Sequence, residues 1–402
     1  MHLMSIHLEA LTASKKVLFL QGPMGGFFNQ VAKWLSQKNI DTYKINLNGG
    51  DWFFTQNQYY KVVLNYSGSL GEFDKWLHFQ IKDMEIDAIV CFGDCRKYHL
   101  IAKHISEKLQ VNFFVFEEGY IRPNFITFEQ DGVNSFSKFK CDFSKDIQQD
   151  QDELMDGIQS VENKYYKMVQ CAIVYYSFTL LLRLVYRNYQ HHRGISARNE
   201  LFAWLVSGCR RIKNALTEPA LFTDFQNKYI QQYFVFPLQV HNDSQILVHS
   251  ELKSMDKYID YVLRSFSENA VSSHHLVVKH HPMDRGYRHY AALIKQLSAE
   301  YGITGRVHYF CDIHLPTLLK NSLGLVTVNS TTGLQALYHE VPVKVLGRAL
   351  YNVSELTFQN HLDLFWTQYE SINEQNYNIF RHELIGFSQL NGAYYGKIFW
   401  NI

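Results

Sequence analysis

Two adjacent carboxylates, Glu117 and Glu118, stand in the segment Phe-Glu-Glu-Gly-Tyr-Ile-Arg-Pro, residues 116–123. The apolar run before them, 112–115, predicts a buried strand. Glu pairs in general are solvated surface residues. Open α/β sheets, however, bind ligands outside the carboxyl ends of their strands, so two acids at a strand end are candidates for chemistry in a cleft.

A second polar segment, Val-Val-Lys-His-His-Pro-Met-Asp, residues 277–284, follows another predicted strand. The strand would deliver Lys279, His280 and His281 to a loop held by proline. Polar loop residues without a chemical role are the alternative for the histidines. Lys279, like Arg122 of the first segment, could pair with an anionic substrate or could equally belong to a surface ion pair.

A third segment, Val-Asn-Ser-Thr-Thr-Gly-Leu-Gln-Ala-Leu, residues 328–337, opens a predicted helix with small hydroxyl residues and Gly333. Helix starts present unpaired backbone N–H groups and the positive end of the helix dipole, which suit a phosphate. Plain N-capping by Ser330 or Thr331 is the alternative and, taken alone, the commoner one. The second and third segments follow strands of the same predicted sheet, which favours a nucleotide or phosphate ligand.

Several common cofactor and metal motifs are absent from the sequence. No Walker loop occurs, and the turn Gln-Gly-Pro-Met-Gly-Gly at 21–26 lacks the full dinucleotide fingerprint, with only Asp51 near the end of the second strand. The six cysteines are scattered, and the 19 histidines form no metal-binding motif. We therefore expect neither a metal site nor a bound cofactor.

Composition limits the classes of protein to which the chain can belong. A length of 402 residues suggests roughly two domains. A hydrophobic content of 47% with 19% charged residues is typical of a folded protein. The net charge of +1 gives no overall attraction to nucleic acid, so we expect no such partner. The first residues lack the features of a secretory signal, which predicts a reducing, cytoplasmic location.

The first half of the chain alternates strand and helix signals. Such alternation predicts a parallel, right-handed, doubly wound sheet. The predicted strands are 16–20, 42–47, 87–92 and 112–116, and the predicted helices are 27–38, 73–84 and 97–109.

No strand period is visible between about 137 and 225, which predicts a helical insertion with one helix at 197–216. A second alternation follows. Its predicted strands are 245–249, 275–279, 307–310, 323–328 and 343–346, and its predicted helices are 255–266, 287–301, 315–320 and 332–339.

The predicted fold class is α/β, with two Rossmann-like domains facing a cleft and a helical insertion. The N-terminal domain would occupy 1–225, including the insertion at about 137–225. The C-terminal domain would occupy 226–350, followed by C-terminal helices over 351–402.

One uncharged segment, 168–182, is shorter than the roughly 20 residues that a membrane-spanning helix needs. It continues into basic residues at Arg183, Arg187 and 191–193. The pattern indicates an apolar, aromatic helix with a basic end, either buried in the core or lying in a membrane interface. A second basic cluster lies in the next predicted helix, at Arg210, Arg211 and Lys213.

Six short motifs follow one another along most of the chain. They are FLQGPMGGFF at 19–28, NLNGGDW at 46–52, FEEGYIRP at 116–123, PLQVHND at 237–243, KHHP at 279–282 and NSTTG at 329–333. This set resembles the motifs of the capsule polysaccharide export and biosynthesis proteins of the KpsS/LipB type. The acid-acid-glycine and His-Pro pair also resembles motifs of bacterial CMP-sialic acid transferases.

The resemblance implies a GT-B-like glycosyltransferase, with the acceptor on the N-terminal domain and a CMP-sugar on the C-terminal domain. It implies retaining transfer of β-Kdo from CMP-β-Kdo to a (lyso)phosphatidylglycerol-type lipid, starting the linker of a capsular polysaccharide. The enzyme would be cytoplasmic and peripheral on the inner face of the cytoplasmic membrane. The other capsule Kdo transferase and the export complex are implied as partners.

The resemblance also implies roles for particular residues. Kdo carries a carboxylate beside its anomeric carbon, and loss of CMP develops positive charge that an enzyme carboxylate can stabilise or capture. Glu118 would be the nucleophile and Glu117 the orienting or acid/base partner, with the reverse order open. His281, Ser330 and Thr331 would hold the CMP phosphate. The other predicted substrate-binding residues are Gln21, Gly22, Asn48, Asp51, Arg122, Gln239, Lys279, His280 and Asn329.

Two other functions remain open from the sequence. One is a non-catalytic lipid-binding or assembly subunit of the capsule machinery, in which the acids are structural. The other is a transferase that uses a different CMP- or UDP-sugar.

Overall fold

The computed structural model describes residues 5–145, 157–162, 165–191, 197–241, 246, 250–370 and 372–400. The chain forms two compact units, one made of Met1–Ala197 and Arg381–Ile402 and the other of Arg198–Phe380. Residues 198–225, assigned from the sequence to the N-terminal domain, thus belong to the second unit. The last helix begins in the second unit and ends in the first.

The helices and strands of the first half follow the predicted alternation. They are α1 (Ile6–Thr12), β1 (Lys16–Phe19), α2 (Phe27–Ser36), β2 (Asp41–Asn46), α3 (Gly49–Phe54), β3 (Val62–Asn65), α4 (Leu70–Asp83), β4 (Ala88–Phe92), α5 (Lys97–Leu109), β5 (Asn112–Glu118), β6 (Phe125–Gln130), α6 (Tyr165–Leu181) and α7 (Ala197–Tyr229). No strand occurs in the described part of 137–225, as the sequence predicted.

The second half continues the alternation. Its elements are β7 (Tyr233–Pro237), α8 (Met255–Asn269), β8 (His275–Lys279), α9 (Ala291–Glu300), β9 (Val307–Phe310), α10 (Leu315–Lys320), β10 (Gly324–Thr327), α11 (Thr332–Tyr338), β11 (Val343–Val345), α12 (Leu362–Gln368), α13 (Glu374–Ser388) and β12 (Gln389–Asn391).

Each unit contains one sheet with a parallel core. The first sheet has the order β12-β6-β5-β4-β1-β2-β3, and the second has the order β11-β10-β7-β8-β9. All pairs are parallel except β5 with β6 and β6 with β12. The predicted α/β class with two parallel, Rossmann-like sheets is therefore confirmed. How the two units face each other stays a prediction.

Four strands were not predicted from the sequence: β3, β6, β7 and β12. β3 is a short edge strand. β6 and β12 pair with each other although they are far apart in the chain, and no local pattern contains that information. β7 follows directly on a long helix. The strand predicted at 245–249 lies outside the described residues except for Ile246.

Helix α7 continues past its predicted end at 216 and contains Pro219. Proline removes one backbone donor and normally interrupts a helix. Here tertiary contacts hold the helix in place. The Glu218 carboxylate accepts hydrogen bonds from the backbone N–H groups of Cys311 and Asp312 at 2.8 and 2.6 Å. Phe225, two turns further, is buried. These contacts explain why the helix persists.

Candidate active site

Glu117 and Glu118 are the last two residues of β5. Successive side chains of a strand point to opposite faces, so the two acids meet different surroundings. Glu117 is partly buried. The side chain of Glu118 is 54% exposed, and its carboxylate lies 3.6 Å from the guanidinium of Arg122. The pair therefore consists of one inner and one solvent-facing carboxylate.

The inner carboxylate has an altered acidity. Burial raises the pKa of Glu117 to about 7, and the nearby charges of Glu118 and Asp94 raise it as well. The hydrogen bond that the Glu118 N–H donates to Glu117 Oε1, at 3.0 Å, and the charge of Arg96 act in the opposite direction. A carboxyl group with this pKa can both hold and release a proton near neutral pH.

The turn after β4 supplies residues that the sequence analysis missed. A Cβ built on Gly93, whose φ is +71°, would lie 3.6 Å from Glu117 Oε2 and 3.8 Å from Arg96 Nε, so both groups approach this glycine. Arg96 Nη1 also donates to Gln21 Oε1 at 2.9 Å. Arg96 thus lies between the acid pair and the glycine-rich turn. The only available signal was the Gly93-Asp94 turn at a predicted strand end.

Gln21, Asn48 and Asp51 come together around a tyrosine of α6. Gln21 Nε2 donates to Asp51 Oδ2 at 3.2 Å and to Tyr175 Oη at 2.9 Å. Asn48 Nδ2 donates to the same hydroxyl at 2.7 Å, and this hydroxyl donates to Asp51 Oδ1 at 2.9 Å. All four residues are buried. Their hydrogen bonds hold α6 against the sheet, and their role in substrate binding stays a prediction.

The two glycines between Asn48 and Asp51 allow α3 and α6 to approach closely. A Cβ on Gly49 would lie 2.1 Å from the backbone oxygen of Phe178, and one on Gly50 would lie 2.6 Å from the ring of Tyr175. Contacts this short exclude any side chain at either position without movement of α6. In this unit, the Asn-Gly-Gly-Asp motif therefore allows α3 and α6 to pack closely. Gly22 is similarly covered by the ring of Phe28.

In the second unit, Lys279 is the last residue of β8 and is buried. Its ammonium donates to the backbone oxygens of His280 and Cys311 at 3.3 and 3.4 Å, and burial lowers its pKa. His280 is also buried, with Nδ1 2.9 Å from the hydroxyl of Tyr309. Burial lowers the pKa of His280 to about 4, so its ring is neutral at neutral pH.

His281 begins the short 3-10 turn Pro282–Asp284, and its Nδ1 accepts the backbone N–H of Met283 at 3.2 Å. This bond fixes the ring and leaves the proton of the neutral imidazole on Nε2. The carboxylate of Asp284 in turn lies 2.6 Å from Nδ1 of His241. The loop after β8 is therefore tied to the loop after β7.

Gln239 and Asn329 join two neighbouring strand ends of the second sheet. Gln239 Nε2 donates to Asn329 Oδ1 at 2.9 Å, and the Asn329 backbone N–H donates to Gln239 Oε1 at 3.2 Å. Strands β7 and β10 pair in parallel, so their carboxyl ends lie side by side. These two predicted residues thus meet through reciprocal hydrogen bonds.

Ser330 and Thr331 precede α11, as the sequence predicted. Ser330 Oγ accepts the backbone N–H of Thr332 at 3.2 Å, whereas Thr331 makes no side-chain cap to the helix. A Cβ on Gly333 would lie 2.3 Å from the hydroxyl of Tyr351. That hydroxyl donates to the Ser330 backbone oxygen at 2.5 Å. Tyr351 therefore shapes this turn, and no sequence signal pointed to it.

The structure gathers the predicted residues into two sets. Glu117, Glu118 and Arg122 of the first unit lie on or after β5, and Arg96 connects this region to Gln21. Gly22, Asn48 and Asp51 also lie in the first unit, and the predicted residues of the second unit lie at or after the ends of β7, β8 and β10. Within the described ranges, no group of three or more His, Cys, Asp or Glu side chains is arranged to hold a metal ion. Nor does any described helix have the length and apolarity to cross a membrane.

Comparison with known proteins connects this geometry to a family. Residues 87–395 match the family model described as "Capsule polysaccharide biosynthesis protein". The chain is 38% identical over 390 residues to "Capsule polysaccharide export protein KpsS" of Escherichia coli, which covers 96% of this chain and 99% of that protein. The chain belongs to the capsule polysaccharide biosynthesis family. The resemblance inferred from the motifs is thereby confirmed.

Other relatives of this capsule family protein cover most of its length. "Capsule polysaccharide modification protein LipB" of Neisseria meningitidis serogroup A is 37% identical over 399 residues, covering 97% of this chain and 94% of that protein. Among solved structures, "Thermosulfurimonas dismutans KpsC, beta Kdo 2,7 transferase" is 14% identical with a TM-score of 0.41, covering 87% of this chain and 92% of that one. The family match includes the acid pair and the polar loops of the second unit.

Proposed function

We propose that this capsule family protein is a retaining glycosyltransferase that moves β-Kdo from CMP-β-Kdo to a (lyso)phosphatidylglycerol-type lipid. The observation that carries the proposal is the acid pair at the end of β5. One carboxyl group is partly buried with a pKa of about 7, and its neighbour is exposed beside Arg122. Family membership supports the setting, capsule polysaccharide biosynthesis.

The two carboxyl groups suit the two parts of a double displacement. The Glu118 carboxylate would bond to the anomeric carbon as the bond between that carbon and the CMP phosphate oxygen breaks. An acceptor hydroxyl would then attack the same carbon, release Glu118 and lose its proton to Glu117. A base with a pKa near 7 matches that second step. Exchange of the two roles is the alternative.

The second unit would bind the nucleotide. Loss of CMP leaves a phosphate that gains negative charge, and preorganised donors stabilise such charge. His281 with its Nε2 proton, Ser330, Thr331 and the cation of Lys279 are the proposed partners. Gln239 and Asn329 would shape the same region through their reciprocal hydrogen bonds. His280, being neutral, would act as a hydrogen-bonding group and not as a charge.

A lipid acceptor requires work at a membrane surface. Helix α6 and the turn after it expose Ile173, Leu180, Leu181 and Leu184, with the cations Arg183 and Arg187 beside them. Apolar burial combined with attraction to anionic lipid is the usual basis of peripheral binding. We propose a cytoplasmic protein that is peripheral on the inner membrane face. The basic residues predicted at 192–193 lie outside the described residues.

Mass spectrometry of a single reaction tests the proposal. Purified protein is incubated with CMP-Kdo and lysophosphatidylglycerol, with CMP-sialic acid and UDP-sugars as parallel donors. The expected result is CMP release together with a product of the mass of a Kdo-lipid, and NMR of that product should show the retained β configuration. Product from another donor would support the transferase with a different sugar. Lipid binding without turnover of any donor would favour the non-catalytic assembly subunit, which would act with the other capsule Kdo transferase and the export complex.

A further inference from the structure

A cavity in the first unit lies beside the Tyr175 hydrogen-bond network. Its lining combines polar and aromatic side chains with two glycines. The lining includes Gly22, Asn29, Lys44, Asp51, Phe54 and Tyr175. Lys44 was not singled out by any motif, and it is the cation of this lining.

Lys44 is a buried cation with incomplete compensation. Its side chain is almost fully enclosed, and Nζ donates to the backbone oxygens of Leu20 and Ile45 at 2.5 and 3.0 Å. Among the described residues, no carboxylate lies within 4.0 Å of this ammonium. Asp51 attracts it from further away, and burial lowers the pKa of Lys44 to about 8, which leaves it charged at neutral pH.

The carboxylate of Asp51 is already engaged. It accepts hydrogen bonds from the Gln21 amide, the Leu47 backbone N–H and the Tyr175 hydroxyl. Buried charges are costly unless they are paired and hydrogen-bonded. The cavity therefore offers an anion a positive charge that the protein itself balances only from a distance.

Aromatic contacts lead from this cavity to the surface. The ring of Phe54, in the lining, lies 5.2 Å from that of Phe53, which stacks on Phe178 of α6 at 4.0 Å. Phe53 and the neighbouring Trp52 are 43% and 48% exposed. The exposed apolar residues of α6 and its following turn continue from Phe178. We call Trp52, Phe53 and Phe178 the aromatic ridge.

We propose that this cavity and the aromatic ridge bind the acceptor as an anionic single-chain amphiphile, with its phosphate against Lys44 and its acyl chain along the ridge. The inference rests on the proposed function, because it names the acceptor site of that transferase. A lipid head group, glycerol 3-phosphate and inorganic phosphate share the same anionic chemistry. The exposed apolar ridge favours the lipid, since a free phosphate gains nothing from it.

Isothermal titration calorimetry without any sugar donor tests the site. The probes are lysophosphatidylglycerol below its critical micelle concentration, a monoacylglycerol with the same chain, glycerol 3-phosphate and inorganic phosphate. We expect lysophosphatidylglycerol to bind at least about tenfold more tightly than each of the other three. Equal affinity for the monoacylglycerol would overturn the role of the cation. Equal affinity for either water-soluble phosphate would overturn the role of the ridge.

Variants assign the two parts of the site. Lys44→Met should weaken lysophosphatidylglycerol binding at least about tenfold and leave monoacylglycerol binding unchanged. Phe53→Ser, which adds no charge, should weaken binding of both lipids and leave glycerol 3-phosphate binding unchanged. Lys82→Met changes an exposed lysine of α4 and should alter none of these affinities. Wild-type lysophosphatidylglycerol affinity in a normally folded Lys44→Met protein would overturn the proposal.

Two checks keep the test decisive. Thermal unfolding shows whether Lys44→Met folds. If it does not, Phe53→Ser, at an exposed position, and the probe series decide. Transfer assays with CMP-Kdo separate this inference from the proposed function. Binding that depends on Lys44 without any transfer by the wild type would refute only the transferase. Transfer with an unchanged lipid KM in Lys44→Met would refute only the acceptor site.

Discussion

At the end of β5, Glu117 is partly buried near Arg96 and Asp94, whereas Glu118 is exposed beside Arg122. The exposed residue is open to solvent, and the inner one titrates near neutral pH. This difference follows from the alternation of side chains along a strand. The proposed mechanism accordingly gives attack on carbon to Glu118 and proton transfer to Glu117.

Replacement of Glu118 tests that assignment. Both Glu118→Ala and Glu118→Gln should lower kcat at least about 100-fold, because neither side chain can form the bond to the anomeric carbon. Thermal unfolding should match that of the wild type, since this side chain is largely exposed. A wild-type rate for Glu118→Gln in the CMP-release assay would contradict a charged nucleophile at this position.

The raised pKa of Glu117 predicts a pH-dependent stability. The folded protein holds this proton up to about pH 7, whereas the unfolded chain releases it near the ordinary glutamate pKa of 4.5. The free energy of unfolding therefore falls as pH rises between these values and stays lowered above them. Glu117→Gln mimics the protonated form and does not titrate. Its free energy of unfolding, relative to that of the wild type, should therefore increase by about 1 to 3 kcal/mol as the pH rises from 4.5 to 8.

Urea unfolding at pH 4.5, 6 and 8 measures this difference. Glu129 is also buried with a pKa raised to about 7 by burial, but it is present in both proteins and cancels in the comparison. Glu107→Gln replaces an exposed glutamate of α5 and should follow the wild type at each pH. A stability difference for Glu117→Gln that does not vary with pH would contradict the altered acidity.

Among the elements, the packing of α3 against α6 shapes the proposed acceptor site. Gly49 and Gly50 admit the backbone of Phe178 and the ring of Tyr175 at distances that no Cβ allows. The same contact places Tyr175 among Gln21, Asn48 and Asp51. The motif thus serves helix packing as well as the polar network.

Gly50→Ala should destabilise the protein by about 1 to 3 kcal/mol, because the added methyl group overlaps the Tyr175 ring and displaces α6. It should also weaken lysophosphatidylglycerol binding. Gly386→Ala is the matched control, since Gly386 lies inside α13 with no atom within 4 Å of the added carbon. The free energy of unfolding of that variant should be unchanged or higher by up to about 1 kcal/mol. Chemical unfolding measures both, and equal effects would contradict the packing argument.

For the whole molecule, the distribution of exposed apolar side chains predicts attachment to anionic membranes. The long helix α7 adds a second apolar stripe in the other unit, formed by the exposed Phe202, Leu205, Ile212 and Leu216. Arg210 of this helix is engaged within the protein, because its guanidinium donates to the backbone oxygen of Arg285 at 2.6 Å. Lys213 and Arg211 are exposed and suit lipid contact.

Sedimentation with phosphatidylglycerol liposomes tests this attachment. Wild type should sediment at low salt and less at high salt, since each cation near the surface adds about 1 kcal/mol. The triple variant Arg183→Glu, Arg187→Glu and Arg211→Glu should remain in the supernatant. A control with three exposed lysines changed to Glu, at Lys33, Lys82 and Lys108, has the same net charge and should still sediment. Equal loss in both variants would indicate a non-specific charge effect.

The sequence by itself determined the α/β class, most elements of both parallel sheets and the positions of the polar motifs. Apolar runs and helical spacing are local properties, and a strand end next to polar residues is visible without any long-range contact. Glu117, Glu118 and Lys279 were therefore correctly placed on or at the ends of β5 and β8.

Only the tertiary structure decided which residues meet. The antiparallel β12 joins β6, and Tyr175 enters a network with Gln21 and Asp51 across more than a hundred residues of chain. The burial of Lys44 and the raised pKa of Glu117 depend on the same packing. Burial and electrostatic surroundings arise from atoms that are distant in sequence. A local pattern can therefore name a candidate residue, but only the fold determines its charge and partners.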